Sequence, residues 1–548
     1  MFYLALALIA LVGVSISLFQ MRNHPKGLYI LFFAEMWERF SYYGMRALLV
    51  LYLTKHFLFS DSQAYGIYGA YTTLVYITPV IGGMLADRFL GQRKAVMFGA
   101  ILLVLGHMGM AVEGEPVRDA AVRDVGVMNI FYLSLALIIA GVGFLKANIS
   151  TIVGELYEKT DERRDGAFTL FYVGINLGAF AGALIAGYLG ETFGWKYGFG
   201  AAGIGMLAGL VVFVWGKPLL QGAGESSNPV LLSKKQFAGL TTEWVIYLAT
   251  IAGVGVLWWL IRDSSTNNYV MFGQELTSVA MVLYSAFLLT YGYIVWTAVS
   301  TLKPHARNRI LAALFLISIQ VLFWALFEQA GSSLNLYTDR EVDRTIFGQE
   351  VVASVFQSLN AMFIIVLGPA FAALWVFLGK RGLDPSAPAK FGLGVIQLGL
   401  GFLVLVWGAT AAGTNLTPVI FIFMIYLLHT TGELCLSPVG LSAMTRLSVP
   451  KMVGLVMGAW FLASGFGNFA AAQIAKLTAA DGGGSEQVLS VYSNVGWMAV
   501  IVGVALIAVS PLIKKMMHLD TLEADSKEWA EEHSMIGERL SPGGDPAE

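Results

Sequence analysis

Glu35-Met36-Trp37-Glu38-Arg39-Phe40-Ser41-Tyr42-Tyr43-Gly44-Met45-Arg46 lies inside a long apolar run that extends from Leu28 to Leu53. Two carboxylates and two guanidiniums therefore stand at a depth where a lipid-facing helix carries none. Each charged side chain at the centre of a membrane helix costs roughly 2.5–3.5 kcal/mol on insertion scales. At about 100° per residue, Glu35, Arg39, Tyr42 and Arg46 fall within roughly 60° of one another, and Glu38 widens the arc to roughly 100°. The charges share one stripe, and that stripe must face protein or water.

The rest of the chain has the same character. Of 548 residues, 57% are hydrophobic and 13% charged, with a mean hydropathy of +0.69. Soluble domains carry about 25% charged residues, so the composition is that of an all-α polytopic membrane protein. The formal net charge of -2 gives no reason to expect a nucleic-acid partner. The single cysteine, Cys435, excludes an intramolecular disulfide framework and stands in an apolar run as a small packing residue.

Windows of about 20 apolar residues predict fifteen segments, near 2–20, 27–54, 63–86, 94–113, 127–157, 166–192, 195–216, 243–262, 277–302, 309–335, 350–379, 391–412, 417–445, 450–478 and 488–512. The first is unusual. It carries no charge, lacks the basic start and the A-x-A-like site of a secretory signal, and is followed by Met21-Arg22-Asn23-His24-Pro25-Lys26. Three readings stay open for residues 1–20: an additional spanning helix, a start-site artefact with Met21 as the true start, and a cleaved signal.

Loop charge sets the orientation. Alternate loops counted from residue 21 hold 21 Lys and Arg on one side against 8 on the other, which makes the first side cytoplasmic by the positive-inside rule. The C-terminus is then cytoplasmic, and an additional helix at 2–20 places Met1 outside. The division predicted is 21–216 as a six-helix bundle, 217–308 as a polar linker and inserted helical hairpin, 309–515 as a second six-helix bundle, and 516–548 as an acidic soluble tail. Two such bundles match the major facilitator plan, in which binding occurs near the midplane between halves.

Several further groups stand out against their apolar surroundings. Lys146 lies mid-helix in Gly141-Val142-Gly143-Phe144-Leu145-Lys146-Ala147-Asn148, where a lysine needs a carboxylate or a wet cavity. Glu328, one turn after Trp324, is the sole ionisable residue from Ile310 to Tyr337, and Glu433 is the sole acid from Thr417 to Met444. Pro438, just after Ser437, lacks a donor and predicts a bend. His429, one turn before Glu433, reads better as a packed, neutral side chain than as part of a polar network. Asn176 offers a neutral amide that can both donate and accept, which an interhelical hydrogen bond would satisfy. No GxSxG, HExxH or cysteine–histidine arrangement supports an enzyme or a metal site.

The stretch Glu35-x-x-Glu38-Arg39-Phe40-x-Tyr42-Tyr43-Gly44 resembles the first-helix signature of the proton-dependent oligopeptide transporters, the peptide branch of the major facilitator superfamily. Seven other separated motifs are similar to that family's and cover nearly all of 25–512. Gly82-Gly83-Met84-Leu85-Ala86-Asp87-Arg88 resembles the superfamily's cytoplasmic gating loop, which implies gating roles for Asp87 and Arg88. The remainder imply proton coupling by Glu35, Glu38, Arg39, Lys146 and Glu328, with Lys146 pairing with Glu328. They imply substrate contacts from Arg39, Tyr42, Tyr43, Arg46, Tyr76, Lys146, Asn176, Trp324, Asn360, Glu433, Ser437, Trp460 and Phe461. Phe327 stands where some relatives carry a second acid, and 63–86 lacks the histidine of animal members.

The resemblance implies symport of di- and tripeptides with protons, without cofactor or metal, in the bacterial inner membrane; the oligomeric state is open, with a monomer as the default. A zwitterionic peptide suits this set. Glu433 offers a partner for its ammonium, the arginines and Lys146 partners for its carboxylate, the asparagines contacts for its amide, and the aromatic residues apolar walls. Transport of another small zwitterion or anion, such as an amino-acid conjugate or nitrate, remains an alternative. Drug/proton antiport on the same fold fits Glu433 opposite a cationic patch poorly, and a receptor or scaffold requires the buried charges to serve packing alone.

Overall fold

The computed structural model describes residues 2–158, 161–226, 228–236, 239–271, 274–449, 452–479 and 484–522. Most of the acidic tail, from residue 523 onward, and Lys159 and Lys451 of the charge count lie outside the described residues.

Seventeen α-helices follow in chain order among the described residues. The first bundle is built from α2 (Lys26–Lys55), α3 (Asp61–Leu85), α4 (Gln92–Met110), α5 (Val125–Glu155), α6 (Arg163–Phe193) and α7 (Trp195–Gly216), preceded by α1 (Phe2–Gln20). A short α8 (Pro229–Ser233) interrupts the linker, and α9 (Thr242–Thr266) and α10 (Ser278–Thr301) form the inserted hairpin. The second bundle holds α11 (Pro304–Phe327), the short α12 (Ser333–Glu341), α13 (Ser358–Lys380), α14 (Ala387–Ala412), α15 (Ile420–Leu447), α16 (Val453–Thr478) and α17 (Ser485–Met516).

Fourteen of the described helical segments are long and apolar enough to cross a membrane. The long helix α2 is not among them because of its central charges. It spans about 45 Å at 1.5 Å per residue, and its core is buried from Leu28 to Leu53 with few interruptions.

Within the first bundle α2 packs on α6 and α7, and α4 on α5; within the second, α14 packs on α15 and α17, and α11 on α16. The main helix packing between the bundles is α3 with α16 and α6 with α13, and α2 also touches α12 and the 3-10 turn at Glu328–Gly331. The inserted hairpin lies outside the α3–α16 seam, with α9 on α3 and α5 and α10 on α16 and α11. The single helix α1 lies along α6, and its tip reaches the second bundle, where the Phe2 ring meets Phe356 and Phe423 at 6.5 and 6.3 Å. Its outward face, including Leu4, Leu8 and Leu11, is exposed and mostly apolar.

The sequence predicts an unbroken helix over 309–335. The structure instead ends α11 at Phe327, makes a 3-10 turn over Glu328–Gly331 and resumes as α12. The turn places Glu328 at a helix end, where backbone polar groups lose their regular partners.

Candidate functional site

Close approach of α2 and α6 sets the charged stripe in place. A Cβ built on Gly178 would stand 2.9 Å from the Arg39 Cβ and overlap the Met36 carbonyl, so glycine permits this crossing. Glu35, Glu38 and Arg39 are buried together, and Arg39 Nε lies 2.7 Å from Glu35 Oε1 and 2.9 Å from Glu38 Oε2. One guanidinium thus serves two carboxylates, and neither Glu38 oxygen accepts an aligned hydrogen bond. Lys146 stands within electrostatic reach of Glu35, Glu38 and Glu328, with its Nζ 3.9 Å from the centre of the Tyr76 ring.

The pairing expected between Lys146 and Glu328 is replaced by another. Glu328 makes a buried ion pair and hydrogen bond with Arg46 Nη2, while Arg46 Nε donates to the Tyr68 hydroxyl at 2.6 Å. The reason is the turn at Glu328–Gly331, which carries the carboxylate toward α2. A Cβ on Gly331 would stand 3.1 Å from Arg46 Nη2 and collide with the Tyr68 hydroxyl. Arg46 belongs to the first bundle and Glu328 to the second, so the pair fastens the two together. More contacts join them on the side that carries few basic residues. Lys55 pairs with Asp339 at 2.7 Å, Arg340 with Asp61 at 2.6 Å, and Asn335 Nδ2 donates to the Ala47 carbonyl at 3.0 Å.

A cavity of about 140 Å³ lies between α6, α13 and α15. Tyr43, Asn176, Asn360 and Glu433 of the expected set line it, with Tyr172, Gln357 and Tyr426 in addition. Asn360 Nδ2 donates to Glu433 Oε2 at 2.9 Å. Glu433 is the one ionisable acid or base on this wall apart from the tyrosines. Tyr43 stands within electrostatic reach of Arg39, Arg46, Glu328 and Glu433, so it links the cavity to the charged stripe behind it.

The other expected contacts fall elsewhere. Tyr42 is buried beside Tyr71, with ring centroids 6.4 Å apart, and its hydroxyl has no partner. Trp324 packs against Gly467 of α16, its Nε1 buried and unpartnered. Trp460 is buried over Gly440, whereas its neighbour Phe461 is exposed, so the two rings diverge. Ser437 keeps a buried hydroxyl without a partner. His429 packs against Phe402 and approaches the Leu398 carbonyl at 3.3 Å.

Asp87 and Arg88 are exposed at the turn between α3 and α4, where Asp87 Oδ1 accepts from Gln92 Nε2 at 2.9 Å. The linker is strapped to this turn. Arg93 pairs with Glu225, and its backbone N–H donates to the Gly224 carbonyl at 2.7 Å. Ser226 Oγ donates to the Phe89 carbonyl at 2.7 Å.

Two six-helix bundles that enclose a polar cavity and meet through a buried ion pair define a transporter of the major facilitator fold. The family model described as "POT family" matches residues 93–489, and the chain belongs to that family. It is 37% identical to YclF of Bacillus subtilis, an uncharacterized transporter, over 90% of this chain and 95% of that one. It is 36% identical to the peptide transporter YePEPT of Yersinia enterocolitica, over 84% of this chain and 89% of the relative. Among solved structures, a peptide transporter POT in complex with sulfate shares 35% identity at a TM-score of 0.77, covering 90% of this chain and 96% of that one.

Proposed function

We propose that this chain is a proton-coupled symporter of di- and tripeptides, working by alternating access in the bacterial inner membrane as a monomer with its C-terminus in the cytoplasm. The observation that carries the reading is the division of charge. Glu433 and Asn360 present acceptor and amide chemistry to a peptide's amino end, while Arg39 and Arg46, suited to its carboxylate, are held by internal acids.

Coupling follows from that engagement. A proton on Glu328 releases Arg46, which then meets the substrate carboxylate with a planar two-pronged donor. A proton on Glu35 or Glu38 leaves Arg39 with one carboxylate in place of two. Such protonation shifts the two-state equilibrium only by its differential effect on the states, and the Arg46–Glu328 pair, which bridges the bundles, supplies that difference. Tyr172, Gln357 and Tyr426 complete the substrate wall, and Asp87 and Arg88 act in gating at the opposite mouth.

The test is uptake of a dipeptide panel into proteoliposomes, with and without an inward acid gradient, for wild type and Glu328→Gln. Wild type should accumulate peptide only with the gradient. Glu328→Gln should exchange peptide across the membrane but fail to accumulate it. Undiminished acid-driven accumulation by the variant rejects the coupling role.

A further inference from the structure

Asn360 is held by a side chain that no motif singled out. Its Nδ2 donates to Glu433 Oε2 at 2.9 Å and to Thr430 Oγ1 at 3.1 Å. Thr430 is fully buried on α15, three residues before Glu433. Its hydroxyl donates to the Tyr426 carbonyl at 2.7 Å. A carbonyl only accepts and a hydroxyl has one proton, so Thr430 Oγ1 presents only lone pairs to Asn360. An ionised Glu433 carboxylate likewise only accepts. Two acceptors on one side fix the amide with its NH2 toward them and its Oδ1 the other way. That Oδ1 accepts no hydrogen bond among the described residues, and Asn360 lines the cavity.

We propose that Thr430 is a positioning residue for substrate recognition: it fixes the Asn360 amide so that Asn360 Oδ1 and the Glu433 carboxylate together form an acceptor seat for a substrate ammonium. The assignment rests on the peptide reading above and adds the residue that sets the seat's polarity. Without the Thr430 hydroxyl the amide loses one of the two anchors that define its orientation. A turned amide would direct N–H groups at the ammonium, which has only donors to offer.

The experiment compares wild type, Thr430→Val and Thr430→Ser in proteoliposomes, using uptake of labelled dialanine and its competition by unlabelled dialanine and N-acetyl-dialanine. Valine keeps the shape of threonine and removes the hydroxyl; serine keeps the hydroxyl. Thr430→Val should raise the half-saturating dialanine concentration about tenfold, the scale of one hydrogen bond to a charged group, with little change in maximal rate. It should also narrow the preference for the free amino group over the acetylated one, and Thr430→Ser should restore both. Thr430→Ala serves the same purpose if valine unseats α15, with thermal unfolding as the check. An unchanged preference in Thr430→Val, or a loss that serine does not restore, overturns the assignment. A wild type indifferent to acetylation overturns instead the underlying ammonium reading.

Discussion

Arg46 and Glu328 lie 282 residues apart in sequence and form a buried ion pair that joins the two bundles. The side chains are 8% and 2% exposed, so each charge depends on the other for its solvation. Removing one partner of a buried pair costs about 3–5 kcal/mol, because the remaining charge is stranded. Arg46→Ala and Glu328→Ala should each lower the thermal midpoint in detergent sharply, and the double variant should be more stable than the sum of the two effects. A double-mutant cycle that comes out additive contradicts the pair.

Gly331 gives this pair its room. Alanine there would drive a methyl group into the Tyr68 hydroxyl and crowd Arg46 Nη2. Gly331→Ala should reduce peptide uptake about tenfold or more, the effect of displacing a charged hydrogen bond, while insertion and yield are kept. Uptake within twofold of wild type would show that the turn relaxes freely.

Arg39 serves Glu35 and Glu38 at 2.7 and 2.9 Å with a single planar group. Both contacts are made by the one Nε, which sits close to the backbone; lysine carries its charge on a compact ammonium at the end of a flexible stem and does not place it there. Arg39→Lys should cut acid-driven accumulation about tenfold, on the scale of one charged hydrogen bond. The measurement is accumulation at a fixed gradient, and a wild-type plateau would remove Arg39 geometry from the coupling scheme.

His24, at the corner between α1 and α2, hydrogen-bonds the Tyr157 hydroxyl at 2.8 Å. Burial, and then the neighbouring Arg163, hold it below its ordinary value of 6.5. The fold therefore favours the neutral ring. That contribution is complete above pH 6.5 and is lost as the pH falls through the lowered folded value. The thermal midpoint of wild type should drop between pH 7.5 and 5.5 more than that of His24→Gln. Equal drops would show that the corner is insensitive to this proton.

The helix α1 contributes no residue to the cavity, and only 11% of its membrane window is buried. A chain begun at Met21 should transport peptide at a rate within about twofold of the full chain, since no charged or hydrogen-bonded cavity group is lost. A loss of transport well beyond that would make the contacts of Phe2 with Phe356 and Phe423 part of the working cycle.

The charged stripe on α2 was legible because charge inside an apolar run has so few explanations, and its fifteen-segment setting was legible for the same reason of contrast. The partner of Glu328 was not legible. Lys146 and Arg46 are both cations on helices of the first bundle, and the choice between them is made by the turn at 328–331, which contains no proline to announce it. Tyr68, Tyr172, Gln357, Tyr426 and Thr430 carry no charge, and in a sequence a tyrosine, glutamine or threonine on a membrane helix looks the same whether it packs or lines a cavity. Trp324 and Trp460 show the converse: large aromatic residues beside a site that turn away into helix contacts.

The interruption between α11 and α12 has one more consequence. Beyond it, Asn335, Asp339 and Arg340 are riveted to the first bundle, while α11 before it belongs to the second. Because α12 is also tied to the second bundle through Ser333–Tyr492 and Tyr337–Thr417, opening this side must shear those rivets. On the coupling proposed above, the acid that takes the proton is also the first residue of the turn that leads into those rivets, so loading the acid and loosening the joint would be a single mechanical event.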